Sequence, residues 1–354
     1  MHFASSKSIN THLKPKTKIT QQSSYTMKSA FFIITFVLFL SLPTLSLSQT
    51  CNKDDEKVLF KIKKAFGNPY HLASWQKTLD CCHWYNVECD ANTSRIIALT
   101  IFSGNISGQI PVEVGDLQYL QTLELRKLTN LTGEIPSAIT KLTHLTMLRL
   151  SWTNLSGPVP SFLSKLTNLN FLDLSFNDLT GSIPPELATL TKLNALHLDR
   201  NKLTGAIPES FGKFTGNVPY LYLSHNQLTG TVPKSLGYLN FTTIDFSRNQ
   251  LTGDFSMFFG INKTIQIADF SRNSFEFNLS EVVFPASLTS LDFNHNKIYG
   301  SLPAALTELN FQYLNVSYNR MCGQIPQGGE LQTFDSTSYF HNRCLCGSPL
   351  PACT

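Results

Sequence analysis

From about Ile97 to Pro326 one phrase recurs ten times. A chain that repeats itself at a short, fixed interval must build one small unit many times and stack the copies. The clearest copy is LNFLDLSFNDLTGSIP, Leu169 to Pro184, and the next are LNALHLDRNKLTGAIP from Leu193 and VPYLYLSHNQLTGTVP from Val218. The glycine of the phrase stands at Gly108, Gly133, Gly157, Gly181, Gly205, Gly230, Gly253, Gly300 and Gly323. Successive gaps are 23 to 25 residues, except one of 47 that holds the degenerate copy IQIADFSRNSFEFNL.

A period near 24 carrying L-x-x-L-x-L-x-x-N-x-L is the leucine-rich-repeat signature, and it predicts an α/β solenoid with a parallel sheet on its concave face. Alternating leucines mark a short strand, so Leu172 and Leu174 point inward and Phe171, Asp173 and Ser175 outward. The asparagines Asn177, Asn201, Asn226, Asn249, Asn273, Asn296 and Asn319 follow at a turn, where an amide can bond main-chain groups of adjacent coils. The glycine permits a positive φ. The proline after Ile or Val pre-sets φ for a helical turn. One buried Leu contributes only about 1.5–3 kcal/mol, too little to offset the ordering entropy of a lone repeat. The copies must therefore stack, and the two open ends need caps.

The eight cysteines sit at those ends: Cys51, Cys81, Cys82 and Cys89 before the repeats, and Cys322, Cys344, Cys346 and Cys353 at and after the last. An even split reads as two disulfides per cap, with three connectivities open for each cluster. The pairing favoured is Cys51–Cys81, Cys82–Cys89, Cys322–Cys344 and Cys346–Cys353. Metal is not expected, since CC and CLC lack C-x-x-C spacing and no histidine pair stands nearby; no cofactor is implied.

Disulfides require a secretory route. Met27-Lys28, the apolar run Ala30 to Leu42, and Ser46-Leu47-Ser48 before Gln49 read as a signal peptide over 27–48. Residues 1–26 read as an unstructured upstream extension. The remainder divides into an N-terminal cysteine cap over 49–95, ten repeats over 96–326 and a C-terminal cysteine cap over 327–354. The leader holds five lysines and no acid, so residues 49–354 carry 23 basic against 24 acidic side chains. That balance gives no support for nucleic-acid binding. No later stretch is apolar enough to span a bilayer, so a secreted monomer without a membrane anchor is expected. N-x-S/T sequons at Asn92, Asn105, Asn130, Asn154, Asn240, Asn262, Asn278 and Asn315 fit that compartment. Asn315 differs from the rest in falling at an outward strand position.

Function belongs to the outward strand positions, because the leucines only hold the coils together. Neighbouring strands lie about 4.8 Å apart, so equivalent positions form rows. One row reads Glu124, Arg149, Asp173, His197, Tyr222, Asp245, Asp269, Asp292, Asn315. The row before the turn asparagine reads Lys127, Trp152, Phe176, Arg200, His225, Arg248, Arg272, His295, Tyr318. A third holds Met147, Phe171, Ala195, Tyr220, Thr243, Ile267, Ser290 and Tyr313. Exposed Trp152, Phe171, Phe176, Tyr220 and Tyr222 beside charges describe a protein-binding face better than a merely solvated one. Catalysis is not expected: there is no G-x-S-x-G, H-E-x-x-H or phosphate-binding glycine loop. An open, solvated aspartate row is also a poor place to raise a pKa.

The S/T-G-x-I/V-P phrase, the cap DCCHWYNVECD and the ending CGQIPQGGELQTFDSTSYFHNRCLCGSPLPAC resemble the plant polygalacturonase-inhibiting proteins over essentially the whole chain after the leader. The resemblance implies a secreted, cell-wall defence glycoprotein that binds fungal endo-polygalacturonase with its concave sheet and blocks it stoichiometrically. It places enzyme contacts on Asp173, Asp199, Asp245 and Gln266. Phe171, His197, Tyr220 and Tyr222 join them from the rows above. It places contacts to cell-wall pectin on His225, Arg248, Arg272 and Asn294. Two of these four are not permanently basic, and His225 is expected to charge only in an acidic wall. Asn86 departs from the family, which has Gly before Val there. FEFNLSEVVFPASLTSLDFNHNKIYGSL is similar to the carrot antifreeze protein, an offshoot of the same family. The alternatives are thus an ice-binding homologue or a soluble leucine-rich-repeat protein that binds a ligand or receptor. Ice binding favours flat arrays of short polar groups, which these bulky rows do not provide.

Overall fold

The computed structural model describes residues 50–214 and 220–354. The expected extension and signal peptide lie outside the described residues. The first element is the helix Lys53–Ala65, whose N-cap Asn52 accepts from the backbone N–H groups of Asp54 and Asp55. Acids fill its first turn and lysines its last, which suits the helix dipole. Its buried Asp55 accepts from Arg95 Nη2 at 2.7 Å and from the Ile96 backbone N–H at 3.0 Å. That clip ties the cap to the first strand of the solenoid. Trp75 stacks on Trp84 beneath the helix.

The strand Val87–Cys89 runs antiparallel to Ile96–Phe102. Among the described residues, that strand opens a parallel ladder. It continues through Thr122–Gly133, Met147–Pro158, Phe171–Asp173, Ala195–His197, Tyr220–Tyr222, Thr243–Asp245, Ile267–Asp269, Ser290–Asp292 and Tyr313–Asn315. These are the ten repeats expected from the phrase. Leu172, Leu174, Leu196, Leu198, Leu221 and Leu223 are fully buried. Except in the last copy, each Pro of the phrase precedes a short 3-10 turn, as Pro184 does before Pro185–Thr189 and Pro208 before Glu209–Lys213.

The asparagine ladder behaves as the residues require. Asn226 Nδ2 donates to Leu198 O at 3.0 Å and Leu223 O at 3.1 Å, while its Oδ1 accepts from Leu203 N at 2.9 Å. Asn201 Nδ2 also reaches Leu198 O, at 3.1 Å. Each such carbonyl thus holds two donors from successive coils. The phrase glycines have φ between +75° and +103°, where a side chain would be strained.

A second set of parallel strands was not anticipated. The turn and L-T-G segments pair with their successors, as in Asp178–Gly181 with Lys202–Gly205 and Gln227–Thr231 with Gln250–Gly253. Short and mostly carrying the glycine of the phrase at or near their ends, they have the sequence marks of a turn. This flank is interrupted at the degenerate repeat, where an isolated bridge, Asn278 to Tyr299, takes its place. Phenylalanines thicken the core there, with Phe255 stacked on Phe270 at 4.0 Å between ring centroids.

All four favoured disulfides form: Cys51–Cys81, Cys82–Cys89, Cys322–Cys344 and Cys346–Cys353. In the C-terminal cap, buried Tyr339 donates from its hydroxyl to Leu331 O at 2.6 Å. No helix among the described residues is long and apolar enough to cross a membrane.

Candidate partner-binding face

The ladder aligns the outward residues in register. Glu124 pairs with Arg149, Arg149 with Asp173, Asp173 with His197, His197 with Tyr222, Tyr222 with Asp245, Asp245 with Asp269, and Asp269 with Asp292. These neighbours do not share one environment, and the row divides into three stretches.

At the N-terminal end the charges are spent internally. Arg149 lies 3.5 Å from Glu124 Oε1 and donates from Nε to Asp173 Oδ2 at 3.1 Å. Its guanidinium also covers the Phe171 ring at 4.8 Å. Asp173 Oδ1 accepts from the backbone N–H of Ser175 at 2.9 Å and from its hydroxyl at 2.6 Å. The expectation that Asp173 and Ser175 stand outward in solvent is corrected, because they are 7% and 6% exposed. The strand ends at Asp173, and its carboxylate turns back to cap the amide that the ladder no longer pairs.

The same device recurs. Asp245 Oδ1 accepts from Ser247 N and Oγ, Asp269 Oδ1 from Ser271 N, and Asp292 Oδ1 from Asn294 N and Nδ2. Asn315 fills the position with an amide, its Oδ1 accepting from Ser317 N and Oγ. The spacing D-x-S/N is the signal in the sequence for this capping role. One repeat breaks the pattern: His197 stands in the aspartate row and Asp199 in the serine row, 3.8 Å apart. Among the described residues, Asp199 has no other side-chain partner.

The centre of the row is aromatic. His197 stacks on Tyr222 at 4.3 Å and meets Phe171 at 5.3 Å. Tyr220, 44% exposed, stands beside them in the third row. Gln266 is exposed just before its strand. Burial pushes the Tyr222 phenol up, aided by the nearby Asp245 charge.

Towards the C-terminal end come Asp245, Asp269 and Asp292, with no ion pair to any of them among the described residues. Burial, with the flanking carboxylates, pushes Asp269 up to about 6. Burial also raises Asp292, against the hydrogen bonds that Asn294 and Tyr313 give it. The expectation that this row is open and solvated is therefore corrected. Asp269 and Asp292 are both partly withdrawn from water, Asp292 being 9% exposed.

In the row before the turn asparagine only Lys127 and Trp152 lie within strands. Lys127, Trp152, Phe176, Arg200, His225, Arg248, Arg272, His295 and Tyr318 all have φ of +53° to +55°, the left-handed region that bulky residues rarely adopt. Stacking along the row accompanies the conformation: Trp152 on Phe176 at 3.6 Å, Arg200 over Phe176 at 4.8 Å, and His295 on Tyr318 at 4.0 Å. Trp152 and Phe176 thus cover one another and stand apart from the Phe171–His197–Tyr222 group. Arg248 and Arg272 are exposed, whereas Asn294 is buried and bonded to Asp292. His225 is held below its ordinary pKa, first by burial and then by Arg200 and Arg248. It needs a more acidic medium to charge than the sequence alone implied.

Seven of the eight sequon asparagines, Asn92, Asn105, Asn130, Asn154, Asn240, Asn262 and Asn278, are exposed, while Asn315 is half-buried. Asn130 Nδ2 donates to Asn105 Oδ1 at 2.9 Å, so these two share one edge. Asn86 has φ +74°, the conformation for which glycine is the usual residue. Its buried Nδ2 finds no hydrogen-bond partner among the described residues.

Residues 98–248 match the leucine-rich repeat region family and residues 52–90 the leucine rich repeat N-terminal domain. A polygalacturonase inhibitor from Pyrus communis is 67% identical over 92% of this chain and 99% of its own length. One from Vitis vinifera is 67% identical over 90% of this chain and 95% of its own. The chain belongs to the polygalacturonase inhibitor family. Among solved structures, a plant ice-binding protein superposes with a TM-score of 0.85 at 55% identity, covering 86% of this chain and 99% of that one. Family membership makes the chain an inhibitor-type binding protein and not an enzyme, so the lifted pKa of Asp269 calls for a reading other than catalysis. The disulfide-clipped caps fit an oxidising compartment outside the cytoplasm.

Proposed function

We propose that the chain is a secreted plant defence protein of the cell wall that binds fungal endo-polygalacturonase on the concave sheet and occludes it. The observation that carries this reading is the in-register group Phe171, His197, Tyr220 and Tyr222, flanked by Asp199 and Asp245. Aromatic anchors beside incompletely satisfied carboxylates are what a protein hot spot needs, and ten strands span roughly 45 Å. Among the described residues Asp199 pairs only with His197, and Asp245 keeps one oxygen beyond its capping role. Gln266 extends the contact by one strand. Asp173 is the weaker member, since its charge already faces Arg149. Contact with pectin through Arg248 and Arg272 is a lesser part of the same reading, with His225 contributing only when protonated.

The test is to secrete residues 49–354 and titrate them against several fungal endo-polygalacturonases, following reducing-end release. Saturable inhibition near one-to-one, weakened at least tenfold by Asp199→Asn with Asp245→Asn in a folded protein, is expected. No inhibition across the panel would refute the reading. Ice recrystallisation, the activity suggested by the solved relative, would then be assayed next.

A further inference from the structure

The two ends of the aspartate row differ in how they are neutralised. At one end Arg149 serves both Glu124 and Asp173. At the other, Asp245, Asp269 and Asp292 lie on three adjacent paired strands and make no ion pair among the described residues. Asp269 is the middle one, so it has a carboxylate on each side. Its Oδ1 caps Ser271, and it makes no ion pair among the described residues.

The other groups facing this stretch can be named. Tyr222 pairs with Asp245 in register, and Tyr313 donates from its hydroxyl to Asp292 Oδ2 at 3.0 Å. Arg248, Arg272 and His295 follow the three strands in the left-handed row, three residues beyond each aspartate. Arg272 acts on Asp292 and does not come within ion-pairing distance of Asp269. His295 is occupied with Asn294 Oδ1 at 2.6 Å and is held below its ordinary pKa.

We propose that Asp269 makes occupancy of the concave face proton-linked: the partner that fits presents a basic side chain over Asp245, Asp269 and Asp292, and its arrival expels a proton from Asp269. The inference rests on the partner-binding reading above and adds a specificity residue and a regulation to it. Three like charges a strand apart in a partly dehydrated row cannot all stay ionised cheaply. In the free protein the row sheds part of its charge by holding a proton on its middle member, consistent with titration near pH 6. A lysine or arginine of the partner favours the ionised form and replaces that proton. By linkage, protons then compete with the partner. The affinity gains up to about tenfold between pH 5 and pH 7 from this one group. A more acidic wall loosens the complex.

The chain supplies its own control, since Asn315 already performs the capping role with an amide. Asp269→Asn should therefore keep the fold while removing the titration. Calorimetry of the wild-type chain with a fungal endo-polygalacturonase, at pH 5, 6 and 7 in two buffers of different ionisation enthalpy, should show proton release near pH 6. Affinity should rise with pH, and Asp269→Asn should flatten that rise by about tenfold across the window. An unchanged pH slope in Asp269→Asn, or no proton release by the wild type, overturns the proposal. The free chain is read separately by carboxyl-carbon NMR, where a midpoint for Asp269 near pH 6 is expected. A midpoint near 4 overturns the proton link and leaves the inhibitor reading standing, whereas failure to bind any polygalacturonase overturns both.

Discussion

Replacing Asp173 by alanine and by asparagine separates charge from architecture at one position. The carboxylate does three things: Oδ1 accepts the Ser175 amide at 2.9 Å and the Ser175 hydroxyl at 2.6 Å, and Oδ2 accepts Arg149 Nε at 3.1 Å. Alanine removes all three. Orphaning the buried Ser175 amide costs about 1–3 kcal/mol. The ion pair adds about 0–1 kcal/mol, because Arg149 is partly exposed and retains Glu124 at 3.5 Å. Asp173→Ala should therefore destabilise by about 1–4 kcal/mol. Asp173→Asn keeps the Oδ1 acceptor, as Asn315 does naturally, and should cost no more than about 1 kcal/mol. Urea denaturation of both variants beside wild type measures the difference, and inhibition assays on the same samples should find Asp173→Asn within about twofold of wild type. Equal stabilities of the two variants would refute the capping role. Loss of inhibition in folded Asp173→Asn would refute the claim that Arg149 has already spent this charge.

Two further outcomes concern the fold. Asn226→Ala orphans the Leu203 amide, while Leu198 O keeps Asn201 as a donor; the variant should lose about 1–3 kcal/mol in urea, and more than about 5 would mean that the ladder is not redundant. Asp269 has a folded pKa of about 6 against an ordinary 3.8, so the folded state holds the proton more tightly than the unfolded chain. Its contribution is favourable at low pH and is lost as pH rises from about 4 to about 6. At about 1.4 kcal/mol per pH unit, the loss reaches at most about 3 kcal/mol. Asp269→Asn should be more stable than wild type at pH 7 and nearly equal to it at pH 4, as read from denaturation midpoints at the two pH values. Greater stability of the wild type at pH 7 would reverse the sign and sink the assignment.

The repeat, its register and its caps were legible because they rest on strictly periodic, strongly apolar or covalent constraints. Leu172 and Leu174 must be buried together, Asn177 must meet the preceding coil, and eight cysteines divided between two ends can clip only those ends. The flanking strands were illegible because Asp178-Leu179-Thr180-Gly181 is too short and too turn-like to declare a ladder until its neighbour lies alongside. The site was half legible. Alternation identified which side chains leave the core, but not how far they rise above it or what they touch. Asp173, Asp245 and Asp269 occupy equivalent places in one repeated phrase, yet one is paired to Arg149, one lies beside aromatic rings and one lies between two other carboxylates. These differences arise between residues about 24 positions apart, brought to one strand spacing by the coil. Sequence periodicity fixes the row, whereas charge, hydration and proton affinity depend on which rows and strands become neighbours, and that is decided only by the stacked structure.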